Sequence, residues 1–335
     1  MSDDGFVADP PTLLLTDADV AALADVDAAV AALRDAYSRP EVASSTPERA
    51  VATTATGWQR VMTAAPPGGA YAGSKTISAS LQNGLVSYLI TLFDQRDSRL
   101  AALIDGNRIT GLRTAATAAA ALTSLLPDRP VSVAVVGSGF EAGAQLRAAA
   151  RVATIERVCV TSPTPANRER FAEELSAELG IPVDPVGAAA EAVAGAGLVL
   201  CAARSRDETP TVLADWVDPD ATIVSVGSTT PAQRELDPAL IGRASFIVAD
   251  ALAEVLHDSG DMIAARAAGI DPDAVTVSLH DLLGGRAIRP ERGIAIYKST
   301  GSGFQDIVLA SLIYERARAD GRGIPLPSGI LTIRK

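Results

Sequence analysis

A glycine-rich turn occupies residues 137–142, where the chain reads Gly-Ser-Gly-Phe-Glu-Ala. It follows a run rich in valine at 131–136 and precedes an alanine-rich stretch with helical spacing. Glycines at 137 and 139 allow a tight turn and a close approach of the backbone to a pyrophosphate, and Ala142 permits close packing of helix on strand. Free N–H groups at the start of such a helix bind phosphate oxygens. The pattern predicts a dinucleotide-binding βαβ unit.

The end of the next predicted strand bears on the choice of cofactor. An NAD-specific site usually places Asp or Glu there, to bond the ribose 2′-hydroxyl. Here the strand at 157–161 is followed by Ser-Pro-Thr-Pro, without a carboxylate. Ser162 and Thr164 offer hydroxyls to a 2′-phosphate, and Arg168 follows one helical turn later. We expect NADP(H) to be favoured over NAD(H), although the same residues also suit a plain turn with loose selectivity.

Two cations stand in apolar surroundings in the first third of the chain. Lys75 lies in a β-rich segment after a glycine, and Arg113 opens an otherwise uncharged helix. An arginine near the start of an apolar helix is unfavourable for the helix dipole, so we expect it to have a partner. That partner is either a structural carboxylate or the carboxylate of a ligand, bound through two parallel hydrogen bonds.

Periodicity predicts the elements that position these residues. Residues 17–37 have the spacing of an amphipathic helix. Residues 51–103 show short β runs broken by glycine and proline, and 109–126 form a helix rich in alanine and threonine. The turn formers at 127–130, Pro-Asp-Arg-Pro, indicate a domain boundary.

Beyond this boundary, strands alternate with helices. The predicted strands are 131–136, 157–161, 198–203, 222–226 and 246–249, and helices such as 167–179 and 188–196 lie between them. This alternation predicts an α/β fold, a Rossmann-type doubly wound parallel sheet with helices on both faces. A final helix is expected at 305–319, followed by a tail rich in glycine and proline from residue 323.

Composition narrows the class of protein. A chain of 335 residues suits about two domains. Its net charge of −11 argues against nucleic acid and anionic membranes as partners. The acidic first residues do not resemble a signal peptide, and no apolar run reaches the roughly 18 residues of a membrane span. The chain has two cysteines, both in predicted buried strands, and two histidines. These residues form no cluster in the sequence, which argues against a metal site. We expect a cytoplasmic, metal-free protein.

Several further short motifs occur in one order along the chain. They are Lys75, Leu92-Phe-Asp94, Ile104-Asp-Gly106, Thr110-x-x-Arg113-Thr-Ala-Ala116, Gly137-Ser-Gly139, Glu235-Leu-Asp237 and Lys298-Ser-x-Gly301. In this combination the chain resembles the ornithine cyclodeaminase/μ-crystallin family from about residue 46 to residue 323.

The resemblance implies a homodimer with a small amino- or imino-acid substrate. Residues 1–128, completed by 305–335, would form a discontinuous α+β domain for substrate binding and dimerisation, and 129–304 the Rossmann domain. Lys75 and Arg113 would hold the substrate carboxylate beside the nicotinamide and act as the catalytic residues, with Arg49 as a third contact. Lys75 would also be the candidate for proton exchange at the substrate nitrogen.

The predicted cofactor contacts combine the turn, the second strand and the family motifs. They are Gly137, Ser138, Gly139, Phe140, Glu141, Ala142, Ser162, Thr164, Arg168, Ala203, Gly227, Ser228, Lys298 and Ser299.

One difference from the family pattern indicates which branch of the family the chain resembles. The cyclodeaminase branch carries an aspartate at a position where this chain has Thr229 or Ser228. A hydroxyl is a poor general base at neutral pH. The chain is therefore more similar to the imine (ketimine) reductase and amino-acid dehydrogenase branch. That branch implies NAD(P)H-dependent reduction of a small 2-imino acid or cyclic imine carboxylate, or the reverse oxidation. A cyclodeaminase-type ammonia lyase, or a non-catalytic binding protein like μ-crystallin, remains the alternative.

Overall fold

The computed structural model describes residues 11–203, 205, 207–326 and 332–333. The strands are β1 (Leu13–Leu15), β2 (Ala50–Thr53), β3 (Gly57–Ala64), β4 (Tyr71–Ser80), β5 (Leu85–Asp94), β6 (Leu100–Asp105), β7 (Val131–Val136), β8 (Ile155–Thr161), β9 (Val183–Val186), β10 (Leu198–Cys201), β11 (Thr222–Ser225), β12 (Ala244–Ala249), β13 (Thr276–Ser278), β14 (Ile294–Lys298) and β15 (Ile324–Pro325). The helices are α1 (Asp17–Leu23), α2 (Val26–Ser38), α3 (Asn107–Leu125), α4 (Phe140–Val152), α5 (Pro165–Leu179), α6 (Ala189–Val193), α7 (Pro238–Arg243), α8 (Leu252–Asp258), α9 (Gly260–Ala267), α10 (Leu279–Leu283) and α11 (Gly303–Asp320).

The first compact unit contains described residues up to 25, residues 42–110 and the chain from 303 onwards. Its sheet has the order β15-β1-β6-β5-β4-β3-β2, and β2 to β6 form an antiparallel meander. Strand β5 alternates between buried residues, such as Ile90 and Leu92, and exposed ones, such as Leu89 and Phe93. One face of the sheet therefore packs inward, against α11, and the other is exposed in the single chain.

The predicted helix at 17–37 is in fact two helices. Helix α1 starts at a capping box between Thr16 and Asp19 and ends at Leu23, because Ala24 adopts an extended conformation with ψ of 132°. The guanidinium of Arg316 donates to the carbonyl of Leu23 at 2.9 Å and so satisfies the end of the helix. Apolar spacing continues through the break, so periodicity alone does not reveal it.

The second compact unit contains residues 26–41 and the described part of 111–302. Its sheet has the order β13-β12-β14-β11-β10-β7-β8-β9, and all its paired strands are parallel. Helices connect most of the successive strands, which confirms the predicted α/β fold with a Rossmann-type doubly wound sheet. Strand β14, a buried run of Ile-Ala-Ile-Tyr-Lys, was not predicted as a strand, because it is short and ends in a lysine.

The compact units divide the chain differently from the predicted domain boundaries. Helix α3 is continuous from Asn107 to Leu125, and from residue 111 onward it groups with the second unit, as does α2. In this grouping the turn at 127–130 joins two elements of one unit. The carbonyl of Leu125 accepts from the hydroxyl of Thr222 at 3.3 Å, which anchors this end of α3 to the parallel sheet. Helix α11 lies in the first unit.

The C-terminal tail contains regular structure where the sequence analysis predicted none. Strand β15 pairs with β1, with Pro325 opposite Leu13. Residues 327–331 and 334–335 of the predicted tail lie outside the described part of the chain. Among the described residues, no helix combines the length and the apolarity that crossing a bilayer requires.

Candidate active site

The glycine-rich turn has the geometry that phosphate binding requires. Gly137 follows β7 with φ of 117°, and a Cβ there would lie 3.0 Å from the carbonyl oxygen of Ala202. Gly139 is the N-cap of α4, and a Cβ there would meet nothing within 4 Å. The backbone at Gly139 is therefore open to the approach of another group. The turn fits a dinucleotide pyrophosphate.

A cavity of about 560 Å³ opens at the carboxyl ends of β7 and β8. It is lined by Val136, Gly137, Ser138, Thr161, Ser162, Pro163, Thr164, Asn167, Gly187, Ala189, Ala203 and Thr211. Five predicted cofactor residues are among them. The edge where parallel strands end is the place where open α/β sheets bind nucleotides, so the cavity fits the adenosine half of a dinucleotide.

The rim of this cavity is held by hydrogen bonds of its own. Ser138 Oγ donates to Ser162 Oγ at 2.8 Å. Arg168 Nη1 donates to the carbonyl of Ser162 at 2.9 Å, so its guanidinium stays beside the predicted 2′-phosphate position. Asn167, which the sequence analysis did not single out, lines the same cavity from the first turn of α5. Its position at the start of the predicted helix at 167–179 was the available signal that it lies near the cofactor.

The remaining predicted residues of the turn differ in exposure. The side chain of Phe140 is 71% exposed, whereas Ala142 is completely buried where α4 packs on the sheet. Glu141 lies in the first turn of α4. The ring of Phe140 also comes close to α3, where a Cβ on Gly111 would lie 2.5 Å from it.

Lys298 lies away from solvent, in a buried ionic cluster at the ends of β11 and β14. Its Nζ is 2.8 Å from Asp261 Oδ2 and 2.7 Å from Ser225 Oγ. The side chain of Lys298 is completely buried. Ser225 Oγ in turn donates to Glu235 Oε2 at 2.6 Å. Lys298 was predicted as a direct cofactor contact. The structure instead commits its ammonium to the carboxylates beneath the turn at 226–229.

That turn carries Gly227, Ser228 and Thr229. Glu235 Oε2 accepts from the N–H of Gly227 at 2.8 Å. The hydroxyl of Ser228 is buried and donates to the carbonyl of Gln233 at 2.9 Å. The Gln233 side chain accepts from the N–H of Thr229 at 3.0 Å. Internal bonds therefore occupy the polar groups of the turn, and Ser228 can meet a cofactor mainly through its backbone.

The loop after β14 is fixed by Asp250, at the end of β12. Its carboxylate accepts from Ser299 Oγ at 2.6 Å, from the N–H of Thr300 at 3.0 Å and from the N–H of Gly301 at 2.9 Å. Gly301 has φ of 75°, and a Cβ there would lie 2.4 Å from Arg113 Nη1. The buried guanidinium of Arg113 thus packs on this loop, which only a glycine allows.

In the first unit, Lys75 forms a fully buried ion pair. Its Nζ lies 2.7 Å from both carboxylate oxygens of Asp306, and both side chains have 0% exposure. Nζ also donates to Thr110 Oγ1 at 3.3 Å. Asp306 stands in the first turn of α11, where a carboxylate also suits the helix dipole. Arg49 immediately precedes β2, in the same sheet and two strands from β4.

The sequence analysis missed the carboxylates that hold the predicted cations. Glu235 stood in the motif Glu235-Leu-Asp237 but was given no contact, and Asp250 and Asp261 were assigned no partner. The available signal was an acidic residue directly beside an apolar run, since a buried carboxylate needs a cation or several N–H donors. Among the described residues, no three His, Cys, Asp or Glu side chains are grouped to hold a metal ion.

Comparison with known proteins agrees with this arrangement. The model of the ornithine cyclodeaminase/mu-crystallin family matches residues 11–321. An iminosuccinate reductase of Paracoccus denitrificans is 31% identical over 240 residues, covering 69% of this chain and 71% of that protein. The ketimine reductase mu-crystallin of Mus musculus is 29% identical over 226 residues, covering 68% of each.

A solved structure gives the same result for the fold. The Δ1-pyrroline-2-carboxylate reductase of Thermococcus litoralis, in complex with NADH and L-proline, superposes with a TM-score of 0.85 at 28% identity. The match covers 94% of this chain and all of that one. These relatives confirm the predicted class, an oxidoreductase of the imine-reductase type. The chain belongs to the ornithine cyclodeaminase/mu-crystallin family.

Proposed function

We propose that the protein reduces a small 2-imino acid or a cyclic imine carboxylate with NAD(P)H, or oxidises the corresponding amino acid in reverse. The observation that carries this proposal is the position of Arg113. Its buried guanidinium packs against Gly301, at the carboxyl end of the parallel sheet where a Rossmann fold presents its nicotinamide. A cation there suits the carboxylate of a small substrate.

The roles of the chain's own residues follow from their settings. Arg113 binds the substrate carboxylate, while Asp250 keeps the loop at 299–301 in place beneath it. Lys75 contributes a second positive charge, oriented by Asp306, and exchanges a proton at the substrate nitrogen. When bound, the reduced nicotinamide supplies the hydride for the C=N carbon. Position and electrostatics are the protein's contribution.

The alternative of ornithine cyclodeamination finds little support at Thr229. The hydroxyl of this residue lies 3.3 Å from Gln233 Oε1, and a threonine cannot take a proton from an ammonium group as a carboxylate can. We expect no appreciable conversion of L-ornithine to proline and ammonia. Mass spectrometry of a reaction without added imine tests this, and proline formation would restore the cyclodeaminase reading.

A non-catalytic binding protein, the other alternative, would hold the same ligands without turnover. Mixing the protein with NADPH and a panel of cyclic imines, or 2-oxo acids with ammonia or methylamine, separates the two. Loss of the reduced cofactor with formation of the amino acid supports the enzyme. Tight binding of both ligands without turnover across the panel would favour the binding protein.

We also propose that NADPH is used at least as well as NADH. None of the residues that line the adenosine cavity carries a carboxylate, so nothing there repels a 2′-phosphate. Ser162 and Thr164 supply hydroxyls at its rim, and Arg168 supplies a positive charge. The ratio of kcat/KM for the two cofactors is the direct measurement.

A homodimer completes the proposal. The exposed face of the first unit's sheet carries Leu85, Leu89 and Phe93, which are 67%, 43% and 39% exposed. These residues alternate along β5 and share one face. Exposed large apolar side chains grouped on one sheet face are typical of a protein interface. Light scattering coupled to size exclusion would show a mass twice that of the chain.

A further inference from the structure

The three ionisable side chains of Glu235, Asp261 and Lys298 form one cluster that is completely shielded from water. Lys298 Nζ lies 2.8 Å from Asp261 Oδ2 and 3.9 Å from Glu235 Oε2. Ser225 Oγ links the lysine to Glu235, accepting at 2.7 Å and donating at 2.6 Å. The proposed hydride chemistry uses none of these groups directly.

The charges of this cluster do not balance. One ammonium faces two carboxyl groups, so the cluster has a net charge of −1 when both are ionised and zero when one holds a proton. An unbalanced charge in a dry interior is costly. Burial accordingly raises the pKa of Glu235 to about 7, although Lys298 lowers it. The cluster therefore exchanges one proton in the neutral range.

Hydrogen bonds assign that proton to Glu235. Asp261 Oδ1 accepts from the N–H groups of Glu235 and Leu236 at 2.9 and 3.2 Å, and its Oδ2 faces Lys298. Among the described residues, neither Glu235 Oε1 nor Asp261 Oδ2 has a hydrogen-bond partner, but Oδ2 lies 2.8 Å from the Lys298 ammonium, whereas the ion pair of Lys298 with Glu235 is with Oε2 at 3.9 Å. Oε1 is thus the position where a proton is accommodated without breaking a bond.

Ionisable groups on the neighbouring elements also face the cluster. Strand β14 contributes Lys298 and helix α9 contributes Asp261. Strand β10 contributes Cys201, whose thiol pKa burial raises well above its usual value, so it stays neutral. Arg234, next to Glu235 in sequence, directs its guanidinium to Glu208 at 3.2 Å and to the carbonyl of Pro231. Glu235 is therefore the group that changes charge.

The cluster lies directly beneath the nicotinamide half of the sheet edge. Strands β11 and β14 stand on the side of β7 opposite to β8, and the adenosine cavity lies at β7 and β8. In a doubly wound sheet the adenosine half of the dinucleotide lies over the first set of strands and the nicotinamide half lies over the second set, which here is β10, β11 and β14. A Cβ on Gly227 would lie 2.4 Å from Glu235 Oε1, so the carboxyl group touches the turn itself.

We propose that the cluster of Glu235, Asp261 and Lys298 sets the relative affinity of the site for the oxidised and the reduced nicotinamide. The inference rests on the proposed function. The oxidised ring is a cation and the reduced ring is neutral, so a net negative charge beneath the ring favours the oxidised cofactor. A neutral cluster removes that preference. Rising pH thus favours the oxidised cofactor, and by linkage its binding expels the proton of Glu235.

The test is the dissociation constant of NADP⁺ and of NADPH, measured at pH 6 and at pH 8 by calorimetry. The 2′-phosphate titrates in both cofactors alike, so the ratio of the two constants cancels it. A unit charge about 10 Å away, at an effective dielectric constant near 20, changes affinity by roughly tenfold. We expect the ratio of the NADP⁺ constant to the NADPH constant to fall at least about fivefold from pH 6 to pH 8.

The variant Glu235→Gln keeps the shape of the side chain and removes the titration. Its ratio should be the same at both pH values, whereas Glu191→Gln, an exposed change on α6, should behave as the wild type. Proton release on binding, from calorimetry in two buffers of different ionisation enthalpy, is the second readout. At pH 7 we expect NADP⁺ binding to release more protons than NADPH binding in the wild type, and equal numbers for the two cofactors in Glu235→Gln.

The possible outcomes separate this inference from the proposed function. A pH-independent ratio in the wild type would overturn the inference, and this result does not depend on whether the variant folds. A folded Glu235→Gln that keeps the pH dependence would overturn it too. If neither cofactor binds at either pH, the proposed function itself fails.

Discussion

The buried pair of Lys75 and Asp306 allows a quantitative test of how the first unit holds its cation. Both side chains have 0% exposure, and the Lys75 Nζ lies 2.7 Å from each carboxylate oxygen. Lys75→Met leaves the buried Asp306 carboxylate without its ammonium, and Asp306→Leu leaves the buried Lys75 ammonium without its carboxylate. Removing one partner of a buried pair destabilises a protein by about 3–5 kcal/mol, whereas replacing both with apolar side chains is often close to neutral.

The double variant should therefore lose much less free energy of unfolding than the two single variants lose in sum. We expect a coupling free energy of at least about 2 kcal/mol between the two positions, the upper part of the range for residues in contact. Urea unfolding of the four proteins at pH 7, followed by circular dichroism, measures it. Effects that add to within about 0.5 kcal/mol would refute a strong ion pair here.

The same pair has a kinetic consequence. Asp306→Asn retains the size of the side chain but removes the charge that orients Lys75, so we expect kcat/KM for the imine to fall by about 10- to 100-fold, the effect of losing one charged contact. Cofactor affinity should stay within about twofold, since the Rossmann unit is untouched. Asp320→Asn, an exposed change on the same helix, is the matched control. Equal losses in both variants would contradict the positioning role.

Three other predictions address the second unit. Arg113→Ala should lower kcat/KM by tens- to hundreds-fold, a loss of about 2–4 kcal/mol for a charge-assisted contact, with cofactor affinity retained; a change below about threefold would remove Arg113 from the carboxylate site. Arg168→Ala should reduce kcat/KM for NADPH more than for NADH, and equal reductions would show that its guanidinium does not meet the 2′-phosphate. Glu235 has its folded-state pKa raised to about 7, so the native state binds the extra proton and stability falls as pH rises from about 4.5 to about 7. The melting temperature of Glu235→Gln should lack this fall, and parallel curves for variant and wild type would contradict it.

Much of the Rossmann unit was predictable, because its signals are local. The strand at 131–136 has the same bounds in the structure as in the sequence analysis, and the glycines at 137 and 139 stand where the turn needs them. Strong β runs, tight turns and helix starts are encoded by adjacent residues. The family resemblance then supplied Lys75 and Arg113, whose local sequence indicated only that each needs a partner.

What the sequence did not reveal depends on contacts between distant positions. The break after Leu23 is stabilised by Arg316, nearly three hundred residues away in sequence. The partner of Lys75 is Asp306, at a separation of 231 residues. Lys298 ends a strand beside the cofactor edge, yet its side chain turns to Asp261. The direction of a side chain and its ion pair are set by tertiary packing, which periodicity does not encode.

The most direct test of the proposed reaction follows a label. NADPH carrying deuterium at the transferable position of its nicotinamide is incubated with the protein and a cyclic imine carboxylate, and the amino acid product is analysed by mass spectrometry and NMR. We predict one deuterium at the α-carbon of the product in the wild type, and a strongly reduced yield in Arg113→Ala. An unlabelled product, or bound cofactor that is not oxidised by any imine of the panel, would contradict the account.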